Sequence, residues 1–477
     1  MSATPHAVVS GAIRLLRLEL RRNPMLWMLP LIAALFWIVV YRRSMALAPS
    51  WSLRATTMQT GIVSVFVPTV AGAAAWMGSR EGRHGLVDLL TCTAQPRWAR
   101  QLAGWAATTG WAIAAYIVCV GVLYAATGRQ ATWGGPLWWP AAVGVASVPA
   151  FAALGYAAGA LRPSRFTAPL VAMAAFFGLE ISAQFIHGND SYWQVSPLVA
   201  GPWNLGRSED LATFYPYLPD LPRIQIVFLA GLTAALLGIM GVPAGSGGRW
   251  LRRFAVGITT IGLLSAGTAT ALAGTGRLDA HGMIAVPAVH DASDDLPATY
   301  TPVCGTAAIP ICVHPAYAAY LPAITDALKP VLEQIAGLPG APDRLSQAAA
   351  IYRQQSGNGI AVGRAGPAVT GTPPVFHLLL PIQFPGPALT ATQLATALRT
   401  DTARAIVSAV ISSDRALGPA QQAVADGILG LYAAEPDDPV GAAARRFAAL
   451  TAEGRRTWLM ENLAALRAGQ VTLHQLP

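Results

Sequence analysis

The sequence predicts a mainly α-helical membrane protein, in which a polytopic helix bundle precedes a separate domain outside the bilayer. Composition is the first observation: hydrophobic residues make up 54% of the chain, charged residues only 12%, and the mean hydropathy is +0.45. Soluble globular domains carry about twice that share of charge. The second observation is that apolar windows of about 20 residues, enough to span roughly 30 Å of hydrocarbon, recur through the first 273 positions.

Seven membrane spans account for these windows. They lie near 24–41, 56–77, 102–126, 138–160, 167–187, 224–243 and 254–273. The first window is long and follows a basic stretch, so it is a span rather than a cleaved signal peptide. The chain is therefore expected to contain an amino-terminal segment 1–23, a six-span unit 24–243, a seventh span 254–273 and a domain 274–477, α+β or mostly helical.

Arginine placement predicts the orientation of these spans. Thirteen arginines lie at the amino terminus and in the loops on its side of the membrane, against six in the opposite loops. The positive-inside rule then places the amino terminus in the cytoplasm. Seven spans carry residues 274–477 to the outside of the cell membrane. Because the net charge of +9 is concentrated at span ends, its expected partner is anionic lipid rather than nucleic acid.

The four cysteines fit this topology. Cys304 and Cys312, in VCGTAAIPIC, fall in the predicted exterior domain, where a disulfide is stable; the alternative is two free thiols in a flexible loop. Cys119 lies inside a span and Cys92 in a cytoplasmic loop, where thiols stay reduced.

Three further stretches have a predicted place at the membrane. In residues 10–22, SGAIRLLRLELRR, the arginines lie on one face of a predicted helix and the apolar residues on another. The segment forms either an interfacial helix or a simple positive-inside anchor. The aromatic-rich loop 188–223 is expected at the outer leaflet. Glu180 is the one carboxylate well inside a span; such a group faces the protein interior or water, as a structural hydrogen-bonding group or in transport.

Motifs of enzymatic chemistry are missing. A nucleotide-binding P-loop needs a lysine after glycine, and the single lysine, Lys329, lies in ALKPV. The sequence also lacks a His-Glu-x-x-His pair and a Gly-x-Ser-x-Gly elbow, and the eight histidines are scattered. We therefore expect no enzyme activity and no cofactor bound by this chain.

Residues 79–100, SREGRHGLVDLLTCTAQPRWAR, lie between spans two and three and are too polar to cross a bilayer. The leucines of this segment recur at helical spacing, opposite Arg83 and Asp88, which predicts a short amphipathic helix near 80–96. By itself such a helix could simply rest on lipid.

The same segment resembles the loop between spans two and three in permease subunits of type-2 ATP-binding-cassette exporters. In its arginine-rich composition and exterior tail, the whole chain looks most like actinobacterial permeases. The matching residues are Arg80, Glu81, Gly85, Leu86, Leu89, Leu90, Thr93 and Arg97. The resemblance covers residues 1–243 and implies that the segment, Arg83 included, is a coupling helix that docks on a separate ATPase. It also implies a dimer with a second copy or a paralogue. Such permeases normally end after six spans, so the seventh span and the exterior domain depart from the pattern.

The exterior domain resembles gluzincin aminopeptidases more faintly. TDTARAIVSAVISS and GPAQQAVADGILGLYAAE are similar to their two zinc-ligand helices. In this register Arg404 and Ser408 replace the histidines, Ala405 replaces the catalytic glutamate, and Asp426-Gly427 occupy the third ligand position. Arginine repels zinc, so the resemblance implies a dead site. The alternative is an unrelated helical domain.

The favoured interpretation is a permease driven by a partner ATPase. The rival is a membrane-anchored exterior binding or sensor protein without transport, and an active peptidase is disfavoured by the missing ligands. The sequence does not specify a substrate, although the lack of a dense polar stripe in any span favours a lipid-like cargo.

Overall fold

A mainly helical architecture with two compact units is the main feature of the computed structural model. The described residues are 5–46, 49–85, 96–182, 188, 198, 213–242, 248–279, 283–348, 351–354, 360–363, 369–370, 373–380, 391–412, 416–432 and 438–477. The first unit comprises Met1–Pro297 with Ser356–Asn358, and the second Ala298–Gln355 with Gly359–Pro477. The second unit thus begins later than residue 274, where we predict the exterior domain to start.

The first unit is a bundle of apolar helices. Its helices are α1 Pro5–Arg22, α2 Met25–Ala46, α3 Arg54–Gly78, α4 Arg97–Gly128, α5 Trp138–Leu161, α6 Thr167–Ser182, α7 Asp220–Gly241 and α8 Gly248–Gly274. The helical segment Trp51–Gly61 overlaps the start of α3. Two stretches are π-helical, Phe36–Tyr41 in α2 and Ile62–Phe66 in α3.

Six of the seven predicted spans coincide with helices long and apolar enough to cross a membrane, namely α2, α3, α4, α5, α7 and α8. The exception is the predicted span 167–187. Its described part, α6, has 16 residues and rises about 24 Å at 1.5 Å per residue, less than the hydrocarbon thickness of roughly 30 Å. Residues 183–187 lie outside the described part, so the crossing by the predicted span 167–187 stays a prediction.

Helices α3 and α5 form the centre of this bundle. In their most apolar windows 72% and 67% of the residues are buried, against 22% in both α2 and α8. Small residues allow this burial, since alanine and glycine let helix backbones approach closely. Of the loop before α7, the structure describes residues 188, 198 and 213–219. Phe214 and Leu218 are buried, and the earlier aromatic residues of the loop lie outside the described residues.

A small hairpin completes the first unit after α8. Strands β1 Arg277–Leu278 and β2 Ile284–Ala285 pair antiparallel. The carboxylate of Asp220, fully buried at the start of α7, accepts the backbone N–H of Val286 at 2.9 Å and lies 3.0 Å from Nδ1 of His290. Burial lowers the pKa of His290, but its hydrogen bonds to Asp295 and Asp220 outweigh burial and leave the pKa raised.

The second unit combines a sheet with helices. Its strands are β3 Val303–Gly305, β4 Ile311–Val313, β5 Arg344–Gln347, β6 Ile351–Gln354, β7 Ile360–Gly363, β8 Val369–Thr370 and β9 Val375–Leu378. The sheet order is β3-β4-β5-β9-β8, with the β4–β5 and β5–β9 pairs parallel, while β6 and β7 form a separate hairpin. Its helices are α9 Leu321–Ile335, α10 Ala391–Ala397, α11 Ala403–Ile411, α12 Pro419–Leu429, α13 Pro439–Ala449 and α14 Ala452–Arg467.

The disulfide predicted between Cys304 and Cys312 is confirmed. The two cysteines are directly opposite in the antiparallel β3–β4 pair, where cross-strand side chains lie closest. The free-thiol alternative for these two cysteines is therefore wrong.

Candidate functional site

The segment between α3 and α4 begins with a single helical turn, Arg80–Arg83. This turn ends at Gly85, whose φ of +63° lies in the left-handed region that favours glycine. Four predicted coupling residues, Leu86, Leu89, Leu90 and Thr93, lie outside the described residues. The described chain resumes at Pro96 and enters α4 at Arg97.

Arg80 ties the start of this segment to the amino-terminal helix. Its Nη2 lies 2.7 Å from Oε1 of Glu19, which is buried on α1. Burial lowers the pKa of Arg80, but the hydrogen bond and the charge of Glu19 raise it more, and the net direction is upward. The guanidinium of Arg80 therefore stays charged in this contact.

Glu81 joins the two ends of the segment. Its carboxylate lies 3.1 Å from Nε of Arg100 and 3.9 Å from Nε of Arg97, both in the first turn of α4. The side chains of Glu81 and Arg100 are 17% and 15% exposed, so water screens this pair less than a surface pair. Two predicted site residues, Glu81 and Arg97, are thus brought together, with Arg100 as an additional partner.

Arg83 turns back toward the bundle. Its guanidinium carbon lies 3.6 Å from the centre of the Trp76 ring, within cation–π range. Its Nη2 also donates to the carbonyl of Trp76 at 3.3 Å. Arg83 therefore holds the helical turn against the last turn of α3.

Helix α5 supports the end of α3 through two glycines spaced four residues apart. A Cβ on Gly155 would lie 2.1 Å from the carbonyl oxygen of Ala71, and one on Gly159 would lie 2.1 Å from that of Ala75. The spacing is the small-xxx-small pattern of close membrane helix pairs. The glycine spacing in GYAAG, residues 155–159, is the sequence signal from which this contact could be predicted.

Helix α1 is fixed to the bundle as well. Asn23, which follows α1, donates from Nδ2 to Oγ1 of Thr108 at 3.0 Å, and Trp111 Nε1 donates to the carbonyl of Leu20 at 2.9 Å. Thr108 and Trp111 both lie on α4. Together with the Arg80–Glu19 pair, these bonds link the segment after α3 to α1 and α4.

The remaining predicted site residue of the first unit is Glu180. It is exposed near the end of α6 and does not face the interior of this chain. Its role stays a prediction.

In the second unit, an ion pair occupies the positions matched to zinc ligands. Arg404 Nη2 on α11 lies 2.6 Å from Oδ1 of Asp426 on α12. Burial raises the pKa of Asp426, and the charge of Arg404 opposes that shift. Among the described residues, no group of three or more His, Cys, Asp and Glu side chains is placed to hold a metal ion.

These contacts connect the start of the segment after α3 to the neighbouring helices. Residues 80–83 are joined by charge to α1 and α4, and the glycines of α5 bring its backbone against α3. Comparison with protein-family models, with curated proteins and with solved structures finds no match to this chain.

Proposed function

We propose that this chain is the membrane permease subunit of a type-2-like ATP-binding-cassette exporter. The observation that carries the proposal is the double attachment of the segment between α3 and α4. Arg80 is paired with Glu19 on α1, and Glu81 is paired with Arg97 and Arg100 on α4. The segment also continues α3 through the main chain, so a displacement of the segment is transmitted to α1, α3 and α4 at once.

In the proposed mechanism, a separate ATPase supplies the energy. Its surface receives the apolar side chains of the segment, with Leu89 and Leu90 as anchors, because an apolar helix face fills a groove on a partner. Rim charges such as Arg83 set orientation more than affinity. Movement of the docked segment then pulls on α1 and α4 through the ion pairs and on α3 through the main chain.

The proposal includes an orientation and a second subunit. The arginine-rich loops face the cytoplasm, and the second unit lies outside. The disulfide supports this placement, since disulfides persist in oxidising compartments. The permease works as a homodimer or with a paralogue, and the cargo is lipid-like.

Recruitment of the ATPase tests the docking step. The double substitution Leu89→Asp and Leu90→Asp is expected to abolish capture of the ATPase from detergent extracts of cells that make both proteins. The matched control replaces Leu296 and Leu431, which are 64% and 37% exposed, by aspartate and keeps full capture. If the Leu89/Leu90 variant captures the ATPase at the wild-type yield, the segment only rests on the lipid surface and the docking proposal is wrong.

A second variant separates docking from transmission. Glu81→Gln removes the ion pairs with Arg97 and Arg100 but leaves the leucine anchors. We expect normal ATPase capture with reduced coupling, measured as loss of the stimulation of ATP hydrolysis by the permease. Unchanged stimulation would contradict transmission through Glu81.

The rival function, a membrane-anchored exterior binding protein, predicts a different result in the first experiment. An ATPase would then fail to co-purify with the wild-type chain under any detergent that keeps the chain folded. No contact within the described residues favours that function over transport.

A further inference from the structure

The bundle contains a cavity of about 560 Å³ between α4, α5, α7 and α8. Its walls include Trp98, Leu102, Pro149, Ala230, Leu237 and Phe254. The volume falls within the range of about 300–1,000 Å³ typical of small-molecule sites. All four helices are long and apolar enough to cross a membrane.

The walls offer an occupant only apolar contact. Thr233 Oγ1 donates to the carbonyl of Leu229 at 2.7 Å, and Trp98 Nε1 donates to that of Leu237 at 3.0 Å. The hydrogens of these two polar side chains are therefore already used within the protein. A polar solute would lose hydrogen bonds on entering, whereas a hydrocarbon chain would lose none.

The cavity extends along α7. Its wall on α7 extends from Ala230 to Leu237, a separation of seven residues that corresponds to a rise of about 10 Å along a helix. This length suits a segment of extended chain lying parallel to the helices. Phe254, at one end, is 47% exposed, which leaves that end accessible from the bilayer.

Three arginines precede Phe254 in the first turns of α8. Trp250 stacks on Phe254 with centroids 5.6 Å apart, and Phe254 meets Trp98 edge to face at 6.3 Å. The first two turns of α8 carry three exposed arginines, Arg249, Arg252 and Arg253. Within the described part of the chain, none of the three is in a salt bridge with a carboxylate. Arginine and tryptophan together at a span end are typical of contact with phosphate headgroups.

We infer that this cavity binds one acyl chain of an anionic phospholipid of the bilayer, with the phosphate held by Arg252 and Arg253. The apolar walls select the chain, and the exposed arginines of the first turns of α8 select the headgroup charge. This lipid site does not depend on transport or on an ATPase, because it rests only on the helices around the cavity.

Native mass spectrometry of the full chain tests both parts of the inference. Phosphatidylglycerol and phosphatidylcholine with identical acyl chains are added to protein in detergent. Ala234→Phe fills the cavity and is expected to weaken retention of both lipids about tenfold or more, since it displaces at least two buried methylenes. The control Val118→Phe enlarges an exposed position on α4, 65% exposed, and keeps retention unchanged. Equal retention in the two variants would overturn the acyl-chain site.

The headgroup is tested by charge removal. Arg252→Gln with Arg253→Gln is expected to reduce the preference for phosphatidylglycerol over phosphatidylcholine to about one, because neutral side chains no longer attract the net charge. Arg42→Gln with Arg43→Gln, two exposed arginines of α2, should leave the preference unchanged. A preference that survives in the Arg252/Arg253 variant would refute the proposed phosphate contact.

A probe in the wild-type chain keeps the test valid if a variant misfolds. Phosphatidylglycerol carrying a photoreactive diazirine in its acyl chain should form adducts on Leu102 and Ile258 within the cavity. Adducts restricted to exposed positions such as Val118 would contradict the inference.

Discussion

Replacing Gly155 by alanine should weaken the bundle at the junction of α3 and α5. The added Cβ would lie 2.1 Å from the carbonyl oxygen of Ala71 and 2.9 Å from its Cα. Real Cβ atoms stay at least about 1 Å farther from a carbonyl oxygen, and the obstacle here is backbone rather than a side chain that can rotate. The two helices must therefore separate along their close contact.

The expected size of the effect follows from a matched control. Gly121 lies in α4 with nothing within 4 Å of its hypothetical Cβ. Both alanine variants gain about 0.5–1 kcal/mol from helix propensity, so this gain cancels in the comparison. The remaining difference is overpacking, roughly 1–3 kcal/mol. Gly155→Ala should accordingly be less stable than Gly121→Ala by that amount.

Thermal unfolding in detergent at a fixed scan rate measures this difference. Each kcal/mol lowers the melting temperature by about 2–4 °C in domains of 150–250 residues, so a shift of several degrees is expected. A fixed rate is needed because membrane-protein unfolding is often irreversible. Equal melting temperatures for the two variants would show that α3 and α5 do not touch at Gly155, and the support we assign to the end of α3 would be lost.

Three other predictions address the rest of the chain. A cysteine introduced at Glu333, with the four natural cysteines replaced, should react with an impermeant maleimide in intact cells; labelling only after lysis would reverse the orientation. Because the pKa of His290 is raised, its charged contact with Asp220 stabilises the fold fully below about pH 6.5 and is lost as the pH rises through the folded pKa. Amide exchange near residues 284–286, corrected for intrinsic rates, should therefore be faster at pH 9 than at pH 6. His290→Gln should remove this difference. If the variant keeps the same pH dependence, His290 is not the group responsible for it. The second unit should bind no stoichiometric zinc and cleave no peptide, as metal analysis and an aminopeptidase assay can check, because Arg404 holds Asp426; chelator-sensitive hydrolysis would contradict this.

The helices were the most predictable part of the fold. Apolar windows report span length directly, so predicted spans 56–77 and 138–160 agree closely with Arg54–Gly78 and Trp138–Leu161. For the window at 167–187 the described helix is Thr167–Ser182, and residues 183–187 lie outside the described part of the chain. Hydropathy averages over residues and does not mark where a helix stops.

The contacts of the candidate site were harder to predict. The residue pattern marked Arg80 and Glu81, yet their partners depend on tertiary packing: Glu19 is 61 positions away from Arg80. The zinc-ligand register placed Arg404 and Asp426 at one site, and the two side chains do meet there. They meet as an ion pair, which a comparison of motif positions alone did not foresee.

Site-specific photo-crosslinking in living cells tests the central claim most directly. A photoreactive amino acid at position 89 should crosslink to a protein that mass spectrometry identifies as an ATPase with a nucleotide-binding P-loop. The same group at position 431 should give no such product. An absence of ATPase crosslinks at position 89, with efficient crosslinking to lipid instead, would contradict the assignment of residues 80–96 as the coupling segment of a permease.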